Sequence, residues 1–308
     1  MTLSGRRLLA GAAAVGALVW VVAWALAGRQ ASPATAGVRA IADAAAVSAL
    51  GLAVLPTLDE PRHRAELIRS AGGPLAVVAV GWLIAEAIRL SLAAAEAADV
   101  PLRRLPLHTA LEFTVTAGAR ADLLSLGAAA AVCLLAVLRL PAPAAQVTVA
   151  GAAAIGVAAR AVTGHLAENP VGAVAITVHI LAAAVWCGAM VALALTVEHR
   201  GQWARLLPRF SQLALACIVA LLIGGVAGAL VTVPSLGALT GTGYGRLVLA
   251  KVLVAGVLVG LGWHNRTRWV PAARAHRMSA HGSRRRAERE LVLMLTALVL
   301  AAALAVAG

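Results

Sequence analysis

The sequence predicts an all-α fold, a polytopic membrane helix bundle of about nine spans, and three observations carry that reading. The composition is too apolar for a soluble protein: 61% of the 308 residues are hydrophobic and 13% are charged, whereas a soluble domain carries about a quarter charged residues. Mean hydropathy is +0.90. The apolar residues also form runs of span length. Arginines sit between those runs, where they set membrane orientation. Alanine, leucine, valine and glycine dominate, beside a single lysine, one tyrosine and two phenylalanines, and such small residues let helices approach closely in lipid. The net charge of +13 therefore belongs to membrane loops, and no nucleic-acid partner is expected.

A bilayer core of about 30 Å takes about 20 helical residues. Nine runs qualify: 8–28, 35–57, 73–97, 121–139, 144–163, 171–197, 210–233, 246–264 and 289–307. The first follows Arg6 and Arg7, an arrangement shared with signal peptides, but its length favours a retained span or signal anchor over residues 1–34. Cleavage would leave eight spans and the same orientation for the rest. Residues 35–143 form a first membrane half and 144–308 a second.

With the N-terminus inside, 17 of the 26 basic residues fall on inner segments, including the arginine-rich stretch 266–289, against 7 on outer ones. This asymmetry predicts a multi-pass protein of the cytoplasmic membrane, N-in and C-out. The same stretch faces membrane lipid, whose anionic headgroups attract it.

The halves resemble each other loosely. RAIADAAAVSALGLAVL at 39–55 resembles 178–195. TVTAGARADLLSL at 114–126 resembles TGTGYGRLVLAKV at 240–252, setting Arg120 on Arg246 and Ser125 on Lys251. An even number of spans separates the copies, which implies a two-fold axis along the membrane normal. Ala/Leu-rich spans also resemble one another by composition alone.

A charge at the bilayer centre costs about 2.5–3.5 kcal/mol, so each needs a reason. Glu86 and Arg89 lie three apart on one helix face and can pair. Asp43 has Arg39 one turn away. Lys251 lies about 8 Å along its span; it either snorkels outward or pairs with Asp43, Glu86 or Asp122.

His179 sits in the outer half of its span. At 100° per residue, Trp186 and Met190 return to within about 20° of its face and Cys187 lies about 80° away. Imidazole, thioether and thiol thus descend through the membrane on one helix, a donor set that suits copper, with sulfur favouring Cu(I). Their separation from His179 of about 12–16 Å excludes a single site on this helix alone. They are stepping stones completed by other helices, or else His179 is a hydrogen-bonded core histidine among packing residues. His165 and Glu168 flank the outer turn GHLAENP, short enough to bring His165 towards His179. His108 and Glu112 share a face of a short outer amphipathic helix. Cys133, Cys187 and Cys217 all lie in apolar runs, which argues against disulfides.

No GxxxxGK[ST] loop is present, so no nucleotide is expected, nor is there a CxxC, HExxH or CxxCH motif. No soluble segment is long enough to carry catalysis, and no enzyme activity is expected.

Several motifs are similar to those of the copper resistance D (CopD) domain. In that family a histidine enters a span and a W-x-G-G step follows, here His179, Trp186, Gly188 and, in place of the second glycine, Ala189. R-F-S is Arg209, Phe210 and Ser211. T-x-Y-G-R-L with a later lysine is Thr242, Tyr244, Gly245, Arg246, Leu247 and Lys251. An N-R pair, Asn265 and Arg266, closes the pattern, and Gly164-His165 matches a preceding G-H. The resemblance covers 165–271. It implies copper transport across the cytoplasmic membrane, described as uptake, with His179 and His165 as ligands. A soluble copper-binding domain fused to some relatives is missing, so any such donor is a separate extracytoplasmic protein.

Three functions compete: a copper-uptake permease, a membrane partner delivering copper for oxidase assembly, and a haem-binding oxidoreductase. Haem needs histidines facing one another across helices, and only His165 with His179 qualifies. A copper ion, transported or bound, is therefore the expected ligand and haem is disfavoured.

Overall fold

The computed structural model describes residues 33–138, 143–159, 170–232 and 241–307, which form helices and no strand. In chain order these are α1 Pro33–Val54, α2 Pro61–Ala97, α3 Leu107–Thr114, α4 Arg120–Leu138, α5 Pro143–Ala158, α6 Pro170–Thr196, α7 Arg200–Thr232, α8 Gly243–His264, α9 Val270–Arg274 and α10 Ala280–Ala307. Among them, six segments are long and apolar enough to cross a membrane: Ala34–Leu58, Pro61–Ala97, Ala117–Leu138, Pro170–Thr196, Arg200–Ala227 and Gly243–Arg274. The all-α membrane bundle is the observed fold class. The expected span at 8–28 lies outside the described residues.

Three helices begin well before their apolar runs, and in each a buried seam explains the extension. The stretch Gly72-Gly73-Pro74 suggests a helix start at 73, yet α2 runs from Pro61 straight through Pro74. Leu67, Ala71, Leu75 and Ala79 are buried at four-residue spacing, so tertiary packing carries the helix across its breakers. Likewise α7 starts at Arg200 and passes Pro208, with Trp203, Leu206, Leu207, Phe210, Ala214 and Cys217 buried along one stripe. The stretch 266–289, expected as a loop, is instead a π turn (Asn265–Trp269), α9 and the start of α10. There Ser283, Ala287, Glu290 and Met294 form a buried seam, while the arginines keep to the other faces.

At the centre lies α1, packed on α2, α5, α6 and α10. It can be central because its seam is small: Ala42, Ala46, Ala49 and Ala53 are buried. Where α1 crosses α6, Gly51 meets Gly188 backbone to backbone, and a Cβ on either would overlap the other helix. Elsewhere α2 packs on α4, α4 on α5, α6 on α7, and α8 on α10.

A polar clasp ties the α1–α2 turn to α7. Asp59, 3% exposed, accepts from Arg205 Nε at 2.7 Å and Nη2 at 2.9 Å. Arg209 Nη1 donates to Leu58 O at 3.1 Å. Gln202 joins in, donating to Glu66 Oε1 at 2.8 Å. Burial raises the Asp59 pKa, but the Arg205 hydrogen bond, the Glu60 N–H and the charges of Arg205 and His63 outweigh it and hold the carboxyl below its usual 3.8. A depressed carboxyl adds stability above its unfolded pKa and loses it as pH falls through the folded value. Asp59→Asn is therefore expected to cost about 1.5–3 kcal/mol near neutral pH. The difference from wild type should shrink only below about pH 4, read as thermal melts in detergent. A gap that stays constant into acid would contradict this origin.

Candidate functional site

Two polar constellations lie inside the bundle. In the N-terminal half, Glu86 is fully buried on α2. Its Oε1 accepts from Trp82 Nε1 at 3.0 Å and Ser125 Oγ at 2.7 Å, and its Oε2 from Arg89 Nε at 2.9 Å. Arg89 Nη2 reaches Asp122 Oδ1 on α4 at 2.6 Å. The expected Glu86–Arg89 pair is thus present, inside a network that also binds α2 to α4. Arg39 and Asp43 also pair, at 3.8 Å. With these carboxylates engaged elsewhere, none of the pairings considered for Lys251 forms: it makes no ion pair among the described residues. On α8 it is half-buried.

The second constellation surrounds His179 on α6. Its Nδ1 lies 2.9 Å from Leu221 O on α7. A carbonyl only accepts, so Nδ1 carries the proton and Nε2 keeps its lone pair. This is the outer-shell geometry that orients metal-binding histidines. The Gly224-Gly225 doublet makes room for it: a Cβ on Gly224 would press on Ala175 O and His179 Cβ, and one on Gly225 would lie 3.4 Å from ring atoms Nδ1 and Cε1. Further along α6, Trp186 is 5% exposed and Met190 is fully buried, while Cys187 is half-buried. Because α6 is one unbroken helix, the axial spacing read from the sequence stands. Among the described residues no three His, Cys, Asp or Glu side chains gather as a metal-binding group. His165 and Glu168 lie outside the described residues.

The remaining motif residues mostly bracket the fold. Thr242 caps α8, its Oγ1 accepting from Gly245 N at 2.9 Å, which places Tyr244 (half-buried) and Arg246 (exposed) in the first turn. Arg209 of R-F-S belongs to the clasp. Ser211 accepts from Arg266 Nη1 through both its carbonyl (3.1 Å) and its hydroxyl (3.0 Å). Asn265 Nδ2 donates to Glu290 Oε2 at 2.6 Å. Sequence reasoning missed Glu290, the carboxylate heading the last apolar run directly after Arg289, and missed the Gly224-Gly225 doublet. Both were visible as exceptions to their surroundings.

Residues 204–304 match the family Copper resistance protein D, and residues 30–173 match Copper resistance protein D-like, N-terminal domain. The first half, whose likeness rested on the loose repeat, thus has a match of its own, and the C-terminal match extends past 271. His179, Trp186, Cys187 and Met190 lie between the matched stretches. No curated protein and no solved structure matches the chain. With both halves matched, and with helices long and apolar enough to cross a membrane in each, the chain belongs to the copper resistance protein D family and is a multi-pass membrane protein of copper resistance.

Proposed function

We propose that the protein carries copper inward across the cytoplasmic membrane, with His179 as its outer-half ligand. What supports this most is the His179–Leu221 hydrogen bond, which aims an unprotonated Nε2 away from α7. Met190 and Cys187 continue the path on α6 with soft donors, and His165 and Glu168 are the further outer ligands of this reading. The N-in, C-out orientation places His179 on the side from which copper arrives. An inside-negative potential favours cation uptake by about 2.3 kcal/mol per charge per 100 mV, so no nucleotide or catalytic step is needed. A separate extracytoplasmic copper-binding protein supplies the metal.

The test is cell-associated copper, measured by elemental analysis, with the chain expressed, absent, or carrying His179→Ala. Extra copper with the wild type, lost in the variant, is the expected result. Equal copper in all three would sink autonomous transport and favour a copper-delivery partner of oxidase assembly.

A further inference from the structure

An apolar groove of about 610 Å³, open on one side, runs between α7 and α8. Its two walls repeat at helical spacing, with Ser211, Leu215 and Ile218 on α7 facing Val259, Gly262 and Arg266 on α8. Its floor is closed by Trp186, Phe210 and Trp269, which are 5%, 4% and 1% exposed, whereas Leu215 and Trp263 on its rim are 45% and 67% exposed. Both α7 and α8 contain stretches long and apolar enough to cross a membrane, so the rim meets lipid and the groove opens sideways into the bilayer. Apolar side chains gain dispersion contacts only where something packs on them, and in that setting the available filler is a hydrocarbon chain.

The polar side chains of the groove gather at one end. Arg266 Nη1 is held there by the Ser211 carbonyl at 3.1 Å and hydroxyl at 3.0 Å, both neutral, and Arg266 forms no ion pair among the described residues. The one carboxylate on the wall, Glu290, is 2% exposed and takes the Asn265 amide at 2.6 Å. Arg266 thus brings a fixed positive charge to the groove, with the rest of its fork available, and that fork matches a phosphate. Ser211 stands at the start of the α7 apolar run, directly after Arg205 and Arg209, and the exposed Trp263 lies beside Arg266. Arginine and tryptophan at that position mark the headgroup level of a membrane. Deeper in, the Trp186 indole N–H is buried and finds no acceptor. His179 is level with Leu221 on the antiparallel α7, so Trp186 lies about one helical turn further into the membrane than Ser211. An ester oxygen stands at that depth below a lipid phosphate.

We propose that this groove holds one anionic phospholipid from the leaflet that borders the arginine-rich stretch, with an acyl chain between α7 and α8, its phosphate on Arg266 and an ester oxygen on the Trp186 N–H. The site is separate from His179 and does not depend on the direction in which copper moves. The test uses the full chain purified in dodecyl maltoside and titrated with dioleoyl phosphatidylglycerol, or with dioleoyl phosphatidylcholine, which has the same chains. Bound lipid is counted by native mass spectrometry. One phosphatidylglycerol per chain is expected, held more tightly than phosphatidylcholine. Arg266→Gln is expected to weaken it about tenfold, the loss of a hydrogen bond to a charged group. Gly262→Leu fills the groove without touching the charge, since a Cβ there meets only Ile218 Cδ1, at 4.0 Å, and is expected to weaken it as well. Arg285→Gln, at an exposed arginine on α10, is expected to leave it unchanged. The Gly262→Leu and Arg285→Gln variants keep the test open if Arg266→Gln fails to fold. Unchanged retention in folded Gly262→Leu, an equal loss in Arg285→Gln, no preference over phosphatidylcholine, or displacement of the lipid by inorganic phosphate would each overturn the proposal.

Discussion

Arg89→Met is expected to be among the most destabilising single substitutions in this chain, lowering stability by about 3–5 kcal/mol. The guanidinium lies between Glu86 Oε2 at 2.9 Å and Asp122 Oδ1 at 2.6 Å, on side chains that are 9%, 0% and 12% exposed. Removing it leaves two carboxylates together in a low-dielectric interior. The loss reflects desolvated charge without compensation more than the intrinsic strength of the pair. That origin makes a second prediction possible. Adding Asp122→Asn to Arg89→Met removes one orphaned charge and should recover a substantial part of the loss. Thermal melts of the two variants in detergent decide the matter: a double variant no better than the single one would show that packing of the Arg89 stem carries the effect.

The second large effect lies at the crossing of α1 and α6. Gly188→Ala is expected to destabilise by about 1–3 kcal/mol or more, because the added methyl meets backbone: Val47 O, Gly51 N and Gly51 Cα are the atoms in its way. A flexible side chain can swing aside, whereas two helix backbones must separate. Separation would loosen α1 from α6 and with it the helix that carries His179. Gly81→Ala is the control, since nothing lies within 4 Å of its added Cβ, and helix propensity favours alanine over glycine by about 1 kcal/mol. Opposite signs for the two changes are expected in melting temperature and in the yield of monodisperse protein. Equal, small effects would mean that the crossing relaxes freely.

Much of the fold was legible beforehand because the signals behind it are local. Hydropathy marked α1, α4, α6 and α8 to within a few residues. Where it misplaced boundaries, the missing residues were polar ones buried by a neighbour: Gln202 and Ser283 belong to helices although nothing in their own windows says so. Glu86 with Arg89 was readable because three-residue spacing on a helix is itself a geometry. Asp122 as the other partner of Arg89 was not, since it comes from a helix 33 residues on. The same holds for the site. The face shared by His179, Trp186 and Met190 follows from 100° per residue, but the carbonyl that sets the His179 tautomer lies 42 residues away.

By itself, then, the sequence determined that this chain is a multi-pass helical protein, which way its charges bias it, and which polar side chains must be accounted for inside it. Those properties depend on composition and on spacing within one helix. The tertiary structure decided which of those side chains meet: Arg89 with Asp122 rather than Lys251, Asp59 with Arg205, and Glu290 with Asn265. The reason is rotational. A helix with apolar residues on every face is compatible with many orientations about its own axis, and only close packing, such as Gly51 against Gly188, selects one.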